Sequence, residues 1–214
     1  KGNIMAGNPD LCLSRAEWAR RFAAFIREAT PENLLASSIY FDLRVVWGDE
    51  SGCRQLRRGI LEQVADNRLF QRMMADNALR HRPPVGRFRE FVLERKGSDK
   101  ATLDLKVQGL TPFVDGARLL ALAHGVEAIN TLERLRQLVT LGVIETLDGA
   151  AYEEAYHFIQ QTRMQQHQLQ TRENRPYSNR VDPDNLNQLD RRILREALRQ
   201  AQRLQSSLAL RYQL

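Results

Sequence analysis

The sequence predicts a mainly α-helical protein, organised as an up-and-down helical bundle with additional helices. Apolar residues recur every three or four positions through most of the 214 residues, which is the spacing of one face of a helix. Helix-start signals precede several of these stretches, and the connections are short, which favours antiparallel neighbours in a bundle. Hydrophobic residues make up 43% of the chain and charged residues 27%, so a sizeable core and a polar surface are both available.

The first half of the chain is predicted to hold four helices. A capping box, Ser14-Arg15-Ala16-Glu17, begins the first of them. The pair Thr30-Pro31 begins the second, and its apolar positions continue to Val46 before a glycine–aspartate pair ends it. Two further helices are predicted over 50–64 and 69–79, after which two prolines stop the pattern.

Residues 88–106 depart from the helical pattern. The apolar segments 91–93 and 102–105 flank a polar turn at 96–99, an arrangement that indicates a short β-hairpin near 90–106. A helix broken at Gly97 is the alternative reading of the same residues.

The second half is predicted to hold four more helices. Thr111-Pro112 begins the first of these, and Asp148 is predicted to cap a long one. A polar segment rich in turn formers, 171–184, precedes the last helix. The predicted ranges are 111–124, 131–141, 150–170 and 185–212.

Charge and cysteine content limit the class of protein. The net charge is +6 and the pI is about 9.7, but arginines alternate with acidic residues along most helices, so we expect a solvated surface rather than nucleic-acid binding. Cys12 and Cys53 lack metal-ligand spacing, which favours a reducing, cytoplasmic location. No apolar run approaches about 20 residues and no secretory signal is visible, so no membrane association is expected.

Several enzyme signatures are absent from the sequence. It contains neither GxGxxG nor GxxxxGK[ST], and neither HExxH nor GxSxG. The four histidines have no metal-ligand spacing with the cysteines, so no metal site is expected. His157 and His167 lie on the long predicted helix, and we read them as surface residues.

Two apolar segments carry charges that require partners or a ligand. The first is 38–49, with Asp42 and Arg44, and the second is 103–134. In the second, Lys106 and Arg118 flank the predicted helix start at 111, where free N–H groups and the helix dipole favour an anion. The alternative is an internal network in which acidic residues neutralise the cations. Both readings stay open at this point. The candidate binding or network residues are Lys106, Arg118, Asp104, Asp42, Arg44, Asn130 and Arg134.

Four segments resemble one known family. They read SIYFDLRVVWGD, LDLKVQGLTPFVDGARLLAL, NTLERL and LDRRILREALRQAQRLQ. In this order, over nearly the whole chain, they resemble the nucleotidyltransferase substrate-binding domain of bacterial signal-transduction proteins that often carry CBS and cyclic-nucleotide-binding-like modules. The second segment is more distantly similar to PII uridylyltransferases, and the fold is expected to be like the helical domain of glutamine-synthetase adenylyltransferase.

The resemblance implies a division of labour between two domains. A catalytic domain of the DNA polymerase β type would carry a Gly-Ser loop and an Asp-x-Asp pair for Mg²⁺ and a nucleoside triphosphate. The resemblance places both elements outside this chain, so no catalytic residue and no cofactor are assigned to it. Residues 1–13 are then a linker from that domain, and 14–214 the substrate-binding domain. Because the chain begins without Met, we read it as a fragment of a longer protein, inactive alone.

The expected partners are the catalytic domain of the same chain and an acceptor, either a protein or a small molecule. A homodimer is a further expectation. The alternative function is a non-enzymatic regulatory or dimerisation module of a CBS-domain signalling protein. The sequence names neither the acceptor nor the nucleotide.

Overall fold

The computed structural model describes residues 8–86, 91–92 and 102–214, which form a mainly α-helical bundle. Eight α-helices lie within these residues, and the prediction of a mainly all-α fold is confirmed. They are α1 (Arg15–Arg27), α2 (Pro31–Tyr40), α3 (Ser51–Ala65), α4 (Arg68–Ala78), α5 (Thr111–Ala123), α6 (Thr131–Thr140), α7 (Thr146–Arg172) and α8 (Gln188–Tyr212).

Local capping explains where several helices begin. The Ser14 side chain accepts a hydrogen bond from the Glu17 backbone N–H, and the Glu17 carboxylate accepts one from the Ser14 backbone N–H, so the predicted capping box is present. At the start of α2, the Thr30 side chain accepts a hydrogen bond from the Asn33 backbone N–H, so the predicted cap is present. Asparagines perform this role for α4, α6 and α8. Each cap satisfies backbone donors that a helix start leaves open.

Helix α5 lies at the centre of the bundle. It packs against α3, α4, α6 and α8, and most of its side chains are buried. Such burial requires an apolar surface on nearly all sides. Gly116 permits the closest of these approaches, because a Cβ there would lie 3.0 Å from Leu204 Cδ2 of α8. The two longest helices, α7 and α8, pack along each other.

Helix α2 is shorter than predicted. It ends at Tyr40, and Phe41 and Asp42 form a turn, so the predicted continuation to Val46 is wrong. The carbonyl of Leu43 accepts a hydrogen bond from Arg57 Nη2 at 2.5 Å. A tertiary contact with α3 thus takes a carbonyl that a longer helix would use internally, and residues 43–50 follow as a loop.

The two-stranded sheet differs from the predicted hairpin. Strand β1 (Leu103–Asp104) pairs antiparallel with β2 (Arg180–Val181) rather than with the segment at 91–93. Phe91 instead forms an isolated bridge with Val85. The turn predicted at 96–99 lies outside the described residues. Pairing across more than 70 residues leaves no local sequence signal, which explains why a hairpin was expected.

Two helix starts also differ from prediction. Helix α7 begins at Thr146 rather than near Ala150, and Asp148 lies in its first turn, where it pairs with Arg203 at 2.8 Å. Helix α8 begins at Gln188, because a short 3-10 turn occupies Pro183–Asn185. Among the described residues, no helix is both long enough and apolar enough to span a membrane.

Candidate functional site

Four charged side chains meet where the turn after α2 faces α5 and α6. Arg118 donates from Nε and Nη2 to Asp42 Oδ2 at 3.2 and 2.9 Å, and from Nη1 to Asp115 Oδ1 at 2.9 Å. Arg134 donates from Nη2 to Asp42 Oδ1 and from Nε to the Ala128 carbonyl at 2.8 Å. Asp42 is therefore held between two arginines. We call these four residues the Asp42 cluster.

The Asp42 cluster is largely excluded from water. The side chain of Arg134 is 3% exposed, that of Arg118 10%, and that of Asp42 24%. Two carboxylates balance two guanidinium groups, as buried charge requires. Burial lowers the pKa of Arg134, and the positive charges of Arg118 and Arg57 lower it further. The sequence analysis did not single out Arg57, because nothing distinguishes it from the other arginines of α3.

The two carboxyl groups of the Asp42 cluster differ in pKa. Burial acts to raise the pKa of Asp42, but hydrogen bonds and charge from Arg134 and Arg118 outweigh it, so the pKa lies below its usual value. Burial also acts on Asp115, and the single arginine bonded to it does not compensate, so its pKa is raised. A cavity of about 10 Å³, the size of one water, borders Asp115 and Arg118.

Of the seven candidate residues, the structure brings three together: Asp42, Arg118 and Arg134. Arg118 and Arg134 thus take part in an internal network, which is the second of the two alternatives given by the sequence. Asn130 does not join them through its side chain, which caps α6 by accepting from the backbones of Leu132 and Glu133. Arg44 is exposed on the loop after α2.

Asp104 and Lys106 lie elsewhere, just before α5, which begins at Thr111 as predicted. A π-helical turn, Leu105–Leu110, runs directly into α5, so the N–H of Thr111 is already bonded to the Lys106 carbonyl. The Thr111 N–H is therefore not free to bind an anion, and the anion site at 111 stays a prediction. The open donors are at Lys106 and Val107, and the Asp104 carboxylate accepts from both. The Lys106 side chain is exposed.

Gly109 has a packing role in this π-helical turn. A Cβ at this position would lie 3.0 Å from Ile159 Cγ2 of α7 and 3.5 Å from Leu198 Cδ2 of α8. The glycine thus lets the turn lie directly on the α7–α8 pair. Close packing therefore explains why a glycine occurs at this position of the charged segment.

Short matches to the two catalytic elements do occur in this chain. Gly97-Ser98 lies outside the described residues, and Asp182-Pro183-Asp184 is an Asp-x-Asp sequence. Asp182 accepts a hydrogen bond from the Asp184 backbone, and the Asp184 side chain pairs with Arg191 at 2.8 Å. One carboxylate caps a turn and the other is bound to an arginine, so the pair does not fit a two-metal site.

A groove of about 850 Å³ lies between the second half of α7 and the loop before α8. Five α7 residues on one helical face line one side: Thr162, Gln165, Gln166, Leu169 and Gln170. The opposite side comes from 175–186 and includes Arg180 and Asp182. Buried Gln170 fixes the loop, because its amide accepts from the Ser178 N–H and donates to the Ser178 carbonyl.

The sequence analysis missed this groove. It read His157 and His167 of the long helix as surface residues and 171–184 as a polar loop. The polar residues at 162, 165, 166 and 170 recur at helical spacing beside that loop, and this repetition was the available signal.

The described residues thus form a mainly all-α domain with an open groove beside α7. The chain belongs to the family described as "Putative nucleotidyltransferase substrate binding domain", whose model matches residues 68–212. The groove residues, Lys106, and three of the four members of the Asp42 cluster lie inside this range. No curated protein and no solved structure matches the chain significantly.

Proposed function

We propose that this chain is the acceptor-binding domain of a two-domain nucleotidyltransferase, similar to PII uridylyltransferases, in bacterial signal transduction. The membership of residues 68–212 in the substrate-binding family supports this assignment. The observation that carries the proposal is the groove beside α7, which lies inside the matched range and is large enough for an extended polar ligand.

The lining of the groove suits a polar acceptor. Amide and hydroxyl side chains supply both donors and acceptors. Two acidic and two basic side chains also line the groove: Glu173, Asp182, Arg175 and Arg180. Such a lining can orient a peptide or a small polar molecule by directional hydrogen bonds. Nucleotide transfer would require the metal site of the other domain, which would bring Mg²⁺ and the nucleoside triphosphate.

Lys106 is the cation we assign to the nucleotide phosphates. Arg118 and Arg134 are held by Asp42, whereas the Lys106 side chain is exposed at the start of the π-helical turn. An exposed ammonium group can contact a phosphate without breaking an existing ion pair in the bundle.

The test uses the protein that carries both domains. Labelled UTP or ATP, Mg²⁺ and a PII-type protein as acceptor are supplied, and transfer to the acceptor is measured. We expect Lys106→Ala to lower transfer at least tenfold with an unchanged melting temperature. Arg192→Ala, which removes an exposed cation from α8, is the matched control and should leave transfer unchanged.

Two results would contradict the proposal. Robust transfer by residues 1–214 alone would place the catalytic machinery in this chain. No transfer by the two-domain protein with either nucleotide, together with a mass that rises with concentration, would favour the regulatory or dimerisation module.

A further inference from the structure

Two adjacent apolar side chains project into solvent from the loop between α2 and α3. Val46 is 90% exposed and Trp47 94%, the highest values among the large apolar side chains that the structure describes. Tryptophan is usually well buried, and at protein interfaces it is the residue that most often carries binding energy. We call residues 43–50 the Trp47 loop.

The Trp47 loop is attached to the bundle at both ends. Directly before it, Asp42 is held by Arg118 and Arg134, and the carbonyl of Leu43, its first residue, is bonded to Arg57. Near its end, Asp49 Oδ1 accepts from the Ser51 backbone at 3.1 Å as α3 begins. A loop anchored in this way loses less conformational entropy when it binds than a free one does.

The residues around Trp47 resemble the border of an interface. Arg44, Glu50 and Arg54 are exposed beside the apolar pair, and Arg54 pairs with Glu50 at 3.2 Å. An apolar centre with a charged border is the usual composition of a surface that binds another protein domain.

The position of α1 indicates where a preceding domain would join the bundle. The Trp18 ring, near the start of α1, lies 5.5 Å from the ring of Tyr40 at the end of α2. Arg15 bonds to Gln55 of α3, and its Cδ is 3.8 Å from a Cβ placed on Gly52. The residues before α1 run back beside this helix, because the Asp10 carbonyl accepts a hydrogen bond from Arg21 Nη1 at 2.8 Å. A domain that precedes them would therefore join the bundle along α1, the helix whose start borders the Trp47 loop.

We propose that the Trp47 loop docks against the nucleotidyltransferase domain of the same chain, with Trp47 as the buried anchor. This inference rests on the proposed function, which supplies that domain. Because Asp42 directly precedes the loop, the docked domain would be fixed relative to α5 and α6, and hence to the rest of the binding domain.

Hydroxyl-radical labelling with mass spectrometry tests the docking directly, because it reports the solvent access of single side chains. The rates are compared between residues 1–214 alone and the two-domain protein. We expect oxidation of Trp47 to fall at least fivefold in the two-domain protein. Leu147, which is 84% exposed at the start of α7, is the internal control and should be labelled equally in both.

A variant adds a functional measurement. Trp47→Ser in the two-domain protein should restore fast labelling of Val46 and lower nucleotide transfer at least tenfold. The melting temperature of residues 1–214 should not fall, since Trp47 has almost no contacts to lose. Leu147→Ser is the matched control and should change neither labelling at Val46 nor transfer.

The outcomes separate the two proposals. Equal labelling of Trp47 in both proteins, with transfer intact, overturns the docking and leaves the proposed function standing. Protection of Trp47 without any transfer supports the docking and contradicts the proposed function. Protection that appears in residues 1–214 alone as concentration rises means that a second copy occupies the loop, and overturns the docking proposal.

Discussion

The charged segment 103–134 divides into two regions with opposite surroundings. In one, Arg118 and Arg134 point into the bundle and share the carboxylate of Asp42. In the other, Asp104 caps a π-helical turn and Lys106 extends into solvent. The sequence presents both as charges within an apolar run. The difference shows that such charges can hold a fold together at one end of a segment and remain available to a ligand at the other.

Helix geometry produces this difference. Arg118 and Arg134 lie well inside or near the start of helices that face the core, so their charges need internal partners. Lys106 lies in the first turn of a helical segment at the surface, where its side chain reaches water at no cost in burial. Depth in the bundle, rather than the spacing of charges, separates the two roles.

The largest expected effect is on the buried region. Asp42→Ala removes the shared partner of two buried arginines and should lower the free energy of unfolding by about 3 to 5 kcal/mol. Chemical denaturation measures the change. Combining Asp42→Ala with Arg134→Met should cost less than the sum of the single changes, because the two residues interact directly.

Asp184→Ala is the matched control for that loss. Asp184 also pairs with an arginine, Arg191, but both side chains are well exposed. Its removal should cost less than about 1 kcal/mol. Equal losses for Asp42→Ala and Asp184→Ala would show that the Asp42 cluster is no more important to stability than a surface pair.

A smaller expected effect is on the pH dependence of stability, which differs between the two carboxyl groups of the Asp42 cluster. The pKa of Asp42 is lowered from its usual value of about 3.8, so its contribution to stability is present above that pH and is lost as the pH falls towards the folded-state pKa. The pKa of Asp115 is raised from the same usual value, so stability linked to Asp115 decreases as the pH rises from about 3.8 through its folded-state pKa.

Carbon-13 NMR titration of the aspartate side chains measures both shifts. We expect the midpoint of Asp42 below 3.8 and that of Asp115 above it. Asp115→Asn should remove the decrease in stability just above pH 3.8 while leaving the acid loss linked to Asp42. The reverse order of midpoints would mean that Arg118 stabilises the carboxylate of Asp115 more strongly than that of Asp42.

The smallest expected effect is on the exposed region. Lys106→Ala should change the free energy of unfolding by no more than about 0.5 kcal/mol, as is typical of an exposed side chain. Thermal or denaturant unfolding of residues 1–214 measures it. A loss as large as that of Asp42→Ala would place Lys106 inside a network and remove the distinction between the two regions.

The features that could be predicted from the sequence depend on contacts within a few residues. The capping box at Ser14 and the cap at Thr30 lie within four positions of their partners, and the structure has both. The mainly helical fold follows from spacing along the chain. The apolar spacing did not predict the end of α2, after which the Leu43 carbonyl is bonded to Arg57 of the next helix.

The candidate site was predictable only in its residue types. Charges in apolar segments indicated partners, but Asp42 meets Arg118 and Arg134 across 76 and 92 positions. No local pattern specifies which of seven candidates pair. The strand partner of Leu103 could not be predicted for the same reason, because Val181 is distant in sequence and approaches Leu103 only in the folded bundle.

Asp42 lies outside the segment that the family model matches, although it contacts residues inside that segment. The matched family segment begins at residue 68, whereas Asp42 lies before it. Phe41 lies before it as well, and its ring is 6.3 Å from that of Phe70. A polypeptide trimmed to the recognisable segment would keep two interior guanidinium groups and lose the carboxylate they share. We therefore expect a polypeptide limited to 68–212 to be less stable than one that includes the first three helices.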